Sequence, residues 1–246
     1  MSISVEPRIR QQGDRCLIID LGDRIDEEIG LRCLALAQNL RERAIDGVLD
    51  IVPSFIAVAV YYEPRKSLGK DPARSLQLLI LQALEELGSQ GPSASQALQT
   101  RTVVIPLCYG GHHGPDLEEV AKRMGMSPEA VIQAHHEQPS RVYMLGFAPG
   151  HPYIGIHDER FAVPRREVPR TAVPAGSLGI ANRQSTIYPN RLPGGWHIIG
   201  ATPLTLFNPA AVCPTLLRPG DEVRFEPISV EKFDQIRAEQ ARQTEP

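Results

Sequence analysis

Apolar residues return along the chain in two rhythms. Over Pro72–Leu87 the residues Leu76, Leu79, Ile80, Ala83, Leu84 and Leu87 recur at spacings of 3, 1, 3, 1 and 3, the stripe of an amphipathic helix. Ile29, Cys33, Leu36 and Leu40 form a similar stripe within Glu27–Arg43, with charges on the remaining positions. Short runs at Arg8–Gln11 and Arg15–Leu21 flank Gln12-Gly13-Asp14 and predict a hairpin. Val48–Val52 and Ile56–Tyr61 predict two more strands around Pro53-Ser54. The order ββαββα implies a small sheet with two helices on one face.

The second half changes rhythm. Five prolines lie between Met1 and Leu98, but thirteen, with nine glycines, lie between Pro139 and Pro227. Such punctuation breaks helices and leaves short strands between tight turns. A strand at Arg101–Leu107 and helices at Asp116–Met124 and Pro128–His136 come first. Ser127 and Pro128 suit the cap and first turn of the second helix. Strands are then expected at Val142–Gly146, Thr171–Val173, Gly179–Ala181, Thr186–Tyr188, Trp196–Gly200, Leu204–Phe207 and Asp221–Pro227. A barrel buries that many short strands without exposed edges. The divisions read as an N-terminal domain over 1–90, a linker over 91–100 that overlaps the apolar-poor stretch 88–99, a barrel over 101–228 and a polar tail over 229–246 that reads as a surface helix.

Composition narrows the function. With 26 Lys plus Arg against 29 Asp plus Glu in 246 residues, the net charge is −3, which gives no global pull toward nucleic acid or an anionic membrane. The longest apolar run, near 55–62, is too short to span a bilayer, and the N-terminus lacks an apolar signal core. Cys16, Cys33, Cys108 and Cys213 show no CxxC spacing, as expected of free thiols in the cytoplasm.

Several local patterns imitate chemistry. Asp116–His136 resembles a helix-turn-helix, but its second helix contains no Lys or Arg to neutralise phosphates, so a plain helical hairpin is expected. The seven histidines, all between His112 and His197, include two doublets but no chelating spacing, so no metal site is expected. His135 closes a helix, where an imidazole is either a solvated helix-end cation or a group poised to titrate near neutrality. Cys108, at a strand end, reads as a buried small hydrophobe rather than a nucleophile. Phosphate loops of the GxxxxGK[ST] and GxGxxG types are absent. The densest signal lies in three segments: Gly146-Phe147-Ala148-Pro149-Gly150-His151-Pro152-Tyr153; Pro169-Arg170-Thr171-Ala172-Val173-Pro174-Ala175-Gly176-Ser177; and Gln184–Pro189 with Pro193-Gly194-Gly195-Trp196. Rigid turns let main-chain N–H groups approach a ligand. Arg170 can fork onto an anion, Gln184 both donates and accepts, and Tyr188 and Trp196 offer flat walls.

These segments, with Pro106-Leu107-Cys108-Tyr109-Gly110-Gly111 and Pro219-Gly220-Asp221-Glu222-Val223-Arg224-Phe225, resemble the family containing the B component of bacterial 5-oxoprolinase, the kinase inhibitor KipI and the first subunit or domain of allophanate hydrolase/urea carboxylase. The resemblance covers nearly the whole chain. It implies an α+β protein: a small N-terminal α/β sandwich of ferredoxin-like type, then a cyclophilin-like β-barrel. It also implies ATP-dependent opening of the lactam 5-oxo-L-proline to L-glutamate. ATP would be co-substrate, with Mg2+, and no biotin would sit on this chain. The implied partners are the C-type component (allophanate hydrolase subunit 2-like) and the A-type component of such an enzyme, the chain being inactive alone. Under this resemblance Arg170 binds the anion, Gln184 orients the amide or phosphoryl group, and His135 transfers a proton. Tyr188 and Trp196 are walls, Gly150, Gly194 and Gly195 shape the loops, and Phe147, Pro149, His151, Pro174, Gly176 and Arg183 complete the binding set. The sequence departs from the family pattern at His151, where an aromatic is usual, at Asn182-Arg183, in place of two glycines, and at Ala201, in place of an arginine. Arg183 offers a replacement cation from another direction. The alternatives are a KipI-like histidine-kinase inhibitor and a carboxyltransferase-type component of a urea-processing system.

Overall fold

The computed structural model describes residues 6–64, 68–89 and 100–244. The chain forms two compact units, Met1–Gln99 and Thr100–Pro246. Most of the linker expected over 91–100 lies outside the described residues.

In the first unit, β1 (Arg8–Gln11), β2 (Cys16–Asp20), β3 (Val48–Pro53) and β4 (Ala57–Tyr62) make an antiparallel sheet of order β1-β2-β4-β3. Helices α1 (Glu27–Glu42) and α2 (Pro72–Ser89) bury their predicted stripes against it. Asp26 caps α1 by accepting the N–H groups of Glu28 and Ile29, so a side chain satisfies donors that the first turn leaves open. Leu36, Ile80, Ile19 and Val58 are fully buried in the shared core.

The second unit is a closed barrel of order β10-β7-β6-β13-β5-β12-β9, with β9 and β10 paired to complete the ring. Its strands are β5 (Thr102–Tyr109), β6 (Ser140–Leu145), β7 (Pro152–Gly155), β9 (Ser177–Ala181), β10 (Gln184–Ile187), β12 (His197–Ala201) and β13 (Glu222–Pro227). β13 runs parallel to β5 over six register pairs, and the other pairings are antiparallel. β8 (Arg170–Val173) and β11 (Leu192–Gly194) form a separate ribbon. The helical hairpin of α3 (Leu117–Met124) and α4 (Pro128–His136) turns at Gly125, whose φ of 66° is the left-handed conformation glycine adopts freely. Val120, Ala121 and Val131 join the barrel's interior cluster, which makes this hairpin a packing element.

Three expectations change. The run Leu204–Phe207 pairs only through an isolated Phe207–Thr215 bridge. β7 and β11, unread in the sequence, do form; Pro152 opens β7, where a missing N–H costs least. The polar tail forms the helix expected of it, α5 (Val230–Thr244), but a docked one, with Phe233 only 4% exposed. No helix among the described residues is long and apolar enough to cross a membrane.

Candidate functional site

A cavity of about 610 Å³ opens in the barrel unit. Its walls come from the end of β5 (Tyr109) and the following Gly110–His113 loop, from Arg170 and Pro174 around β8, from Ala201 of β12, and from α5. Arg170 is not a free cation. Its Nη1 and Nη2 donate to the two carboxylate oxygens of Asp116 at 2.8 and 2.7 Å. Asp116, 4% exposed, also accepts from the Ile198 N–H at 2.7 Å and pairs with Arg166 at 3.2 Å. Burial alone would raise the Asp116 carboxyl, but the Arg170 fork, the Ile198 N–H and Arg166 outweigh it and hold the carboxyl below its usual range.

A chain of polar groups runs behind this cavity into the barrel interior. Tyr109 Oη lies 2.8 Å from His135 Nδ1, and His135 Nε2 lies 2.8 Å from Ser185 Oγ. Ser185 Oγ also meets His157 Nε2 at 2.7 Å, and His157 Nδ1 lies 3.5 Å from Ser140 Oγ. The serine hydroxyl has one proton, so it donates to one imidazole and accepts from the other. That fixes one direction along the whole chain: either Tyr109 donates inward and Ser185 donates to His157, or every bond reverses. Both arrangements are neutral. Burial holds His135 well below the usual imidazole range and lowers His157 to about 4. Tyr109 both lines the cavity and touches this chain.

The helix-end reading of His135 as a solvated cation is therefore corrected: it is 1% exposed. It falls four residues after the buried Val131, so α4 turns both inward. Gln184 opens β10 opposite Gly155 and is not part of the cavity wall. Of the three groups expected to converge, only Arg170 lines the cavity.

Most of the remaining expected residues gather elsewhere. The His151 ring lies 5.3 Å from each of the Tyr153, Tyr188 and Phe147 rings, and Trp196 lies 6.0 Å from Tyr153. Arg165 stands 5.5 Å over the Trp196 ring. His151 does an aromatic's work there: burial lowers it to about 4, so it packs as a neutral ring against Thr186 Oγ1. Gly194 sits so close to the Tyr188 hydroxyl that a Cβ would collide with it. Gly150, at φ 74°, would drive a Cβ to 2.8 Å from Phe207. Phe147, at φ 71°, is 66% exposed, and Pro149 follows it in the turn. Gly195 lies beside Pro169, and Gly176 leads into β9.

Arg183 forms no second cation at the cavity. With Asn182 it makes the two-residue β9–β10 turn at φ 65° and 50°, which explains why two glycines suit these positions. Its side chain donates to His157 O and pairs with Glu159. Cys108 is buried beside Ala201 and Phe233, and burial raises its thiol, as expected of an inert cysteine. The residues missed in sequence are Asp116, Tyr109, His157, Ser185 and Arg237. A signal existed for Ser185, which alternates with Gln184 and Thr186 and shares Ile187's inward face; the others meet only through the fold.

The chain matches the family model described as carboxyltransferase domain, subdomain C and D, over residues 7–217. It is 40% identical over 243 residues to the Bacillus subtilis (strain 168) protein named as the B component of 5-oxoprolinase, covering 96% of this chain and 99% of that one. The protein of the same name from Escherichia coli O157:H7 is 38% identical over 215 residues, covering 87% and 93%. The solved structure of TTHA0988 superposes with a TM-score of 0.71 at 36% identity over 87% of this chain, which spans 40% of that longer one.

Proposed function

The chain belongs to the carboxyltransferase-domain (subdomain C and D) family that also holds the B component of 5-oxoprolinase, and from that premise we propose that it is one subunit of an ATP-dependent 5-oxoprolinase. The observation that carries this reading is 40% identity across 99% of the Bacillus subtilis protein of that name. In this reading the chain works in the cytoplasm with C-type and A-type partner components and is inactive alone. Its N-terminal unit is then the ferredoxin-like sandwich and its barrel the cyclophilin-like domain of the family; the strand order and the closed ring support those names.

The chemistry asks for a cationic, partly dry hollow. A lactam carbonyl is a poor electrophile. Transfer of the γ-phosphoryl group of ATP to its oxygen releases ADP and makes the carbon attackable. Water adds there and the carbon–nitrogen bond breaks with a proton going to nitrogen, leaving an acyl phosphate that a second water hydrolyses to the carboxylate and inorganic phosphate. Arg170 would meet the developing anionic charge, its orientation fixed by Asp116. Tyr109 would exchange protons with the cavity while His135, Ser185 and His157 shift theirs in step. Mg2+ would be held mainly by phosphate oxygens and water, and Asp234 is the wall carboxylate able to share it.

The test is co-purification with the partner components, then ADP release with and without 5-oxo-L-proline. Lactam-dependent turnover by the complex, absent from the isolated chain, is expected. A complete complex that releases no lactam-dependent ADP would transfer the case to a carboxyltransferase or kinase-inhibitor role.

A further inference from the structure

We propose that α5 is a working wall of this site and that Arg237 contacts the ligand's anionic group, making the C-terminal helix a specificity-determining element. The inference rests on the cavity being the site, as read above. Val230, Phe233, Asp234 and Arg237 line the cavity, and their spacing places them on one side of the helix. That side is fastened along its length. At its start Ile228 N–H donates to Leu107 O at 3.0 Å. Phe233 inserts beside Cys108 and Ala201, its ring 4.1 Å from that of His113. Seven residues on, Gln240 accepts the Thr205 N–H at 3.2 Å. Arg237 stands between these anchors, so its backbone is held while its long side chain reaches along the wall.

The two guanidinium groups of the cavity differ in their partners. Arg170 is forked onto Asp116, whereas Arg237 has no ion pair or hydrogen bond among the described residues. An unengaged guanidinium at a cavity wall suits a carboxylate or phosphoryl group, which its planar donors meet in pairs. The helix also begins at Val230, beyond the match to the family model, which ends at residue 217.

The test is calorimetric titration of the full chain, alone and assembled with its partner components, with 5-oxo-L-proline, L-glutamate and ATP as probes. Arg237→Gln, Arg237→Lys and the solvent-facing control Glu231→Gln are compared with wild type, and thermal melts check folding. At least one probe is expected to bind wild type, with affinity falling about tenfold or more in Arg237→Gln, the loss of one charge-assisted contact. Arg237→Lys should recover part of that loss, Glu231→Gln should match wild type, and in the complex the loss should appear in KM. Unchanged affinity in Arg237→Gln, or no binding of any probe to wild type in either form, overturns the proposal. Lactam turnover indifferent to Arg237 would sink this inference and spare the proposed reaction. Arg237-dependent ATP binding without lactam turnover would do the reverse.

Discussion

The two units fill their interiors differently. In the N-terminal unit Leu36, Ile80, Ile19 and Val58 are buried to completion and surrounded by other apolar side chains. In the barrel, His135, Ser185 and Thr186 lie as deep as Ile154 and Leu178, and Asp116 holds two arginines at the edge of the cavity. An apolar core is held by area removed from water and tolerates many fillings of similar volume. A polar interior must give every donor and acceptor a partner, so it specifies one arrangement at higher risk. The contrast sets the barrel interior apart: stability alone does not require two neutral imidazoles bridged by a serine.

Among single substitutions, the largest expected effect on this contrast is from Asp116→Ala. It strands the Arg170 and Arg166 guanidinium groups, and the barrel should lose about 3–5 kcal/mol. Urea unfolding followed by fluorescence of Trp196, the single tryptophan and a barrel residue, reads this directly. A loss below about 1 kcal/mol would make the pair an ordinary solvated one.

Acid should separate the units next. All seven histidines lie in the barrel unit. Burial lowers His151 and His157 to about 4, so the unfolded chain takes up their protons first. Stability is then full above the unfolded pKa near 6.5 and falls as pH drops toward about 4, by about 3 kcal/mol for each histidine. Amide exchange at pH 7 and about pH 4.5 should show the barrel loosening while the N-terminal core stays protected. Equal loss in both units would break the comparison.

Ser185→Ala leaves an imidazole nitrogen on each side without its partner and should cost about 1–3 kcal/mol per orphaned group. In the active complex it should also change the pH profile of turnover, which a purely structural serine would not do. The smallest expected effect is from Asn182→Gly at the β9–β10 turn. Its φ of 50° suits glycine, but the gain is offset by unfolded-chain entropy, so thermal melts should move by less than about 1 kcal/mol.

Much of the molecule was legible before any coordinates. The stripes of α1 and α2, the hairpin around Gly13 and the Ser127-Pro128 start of α4 are local signals, carried by residues within one or two turns of each other. The sequence also carried enough turn chemistry to indicate a strand-rich barrel and enough motif likeness to indicate a family. It did not show that Arg170 spends two donors on Asp116, 54 residues away, or that His135 meets Ser185 across 50 residues. Nor did it show that the polar tail returns to wall a cavity. Periodicity reports which face of an element is turned inward, because that depends on neighbours in the chain. Which inward-facing polar groups touch is decided by barrel closure, which sets strand order and register and so pairs hydrogen bonds between residues that no local pattern relates.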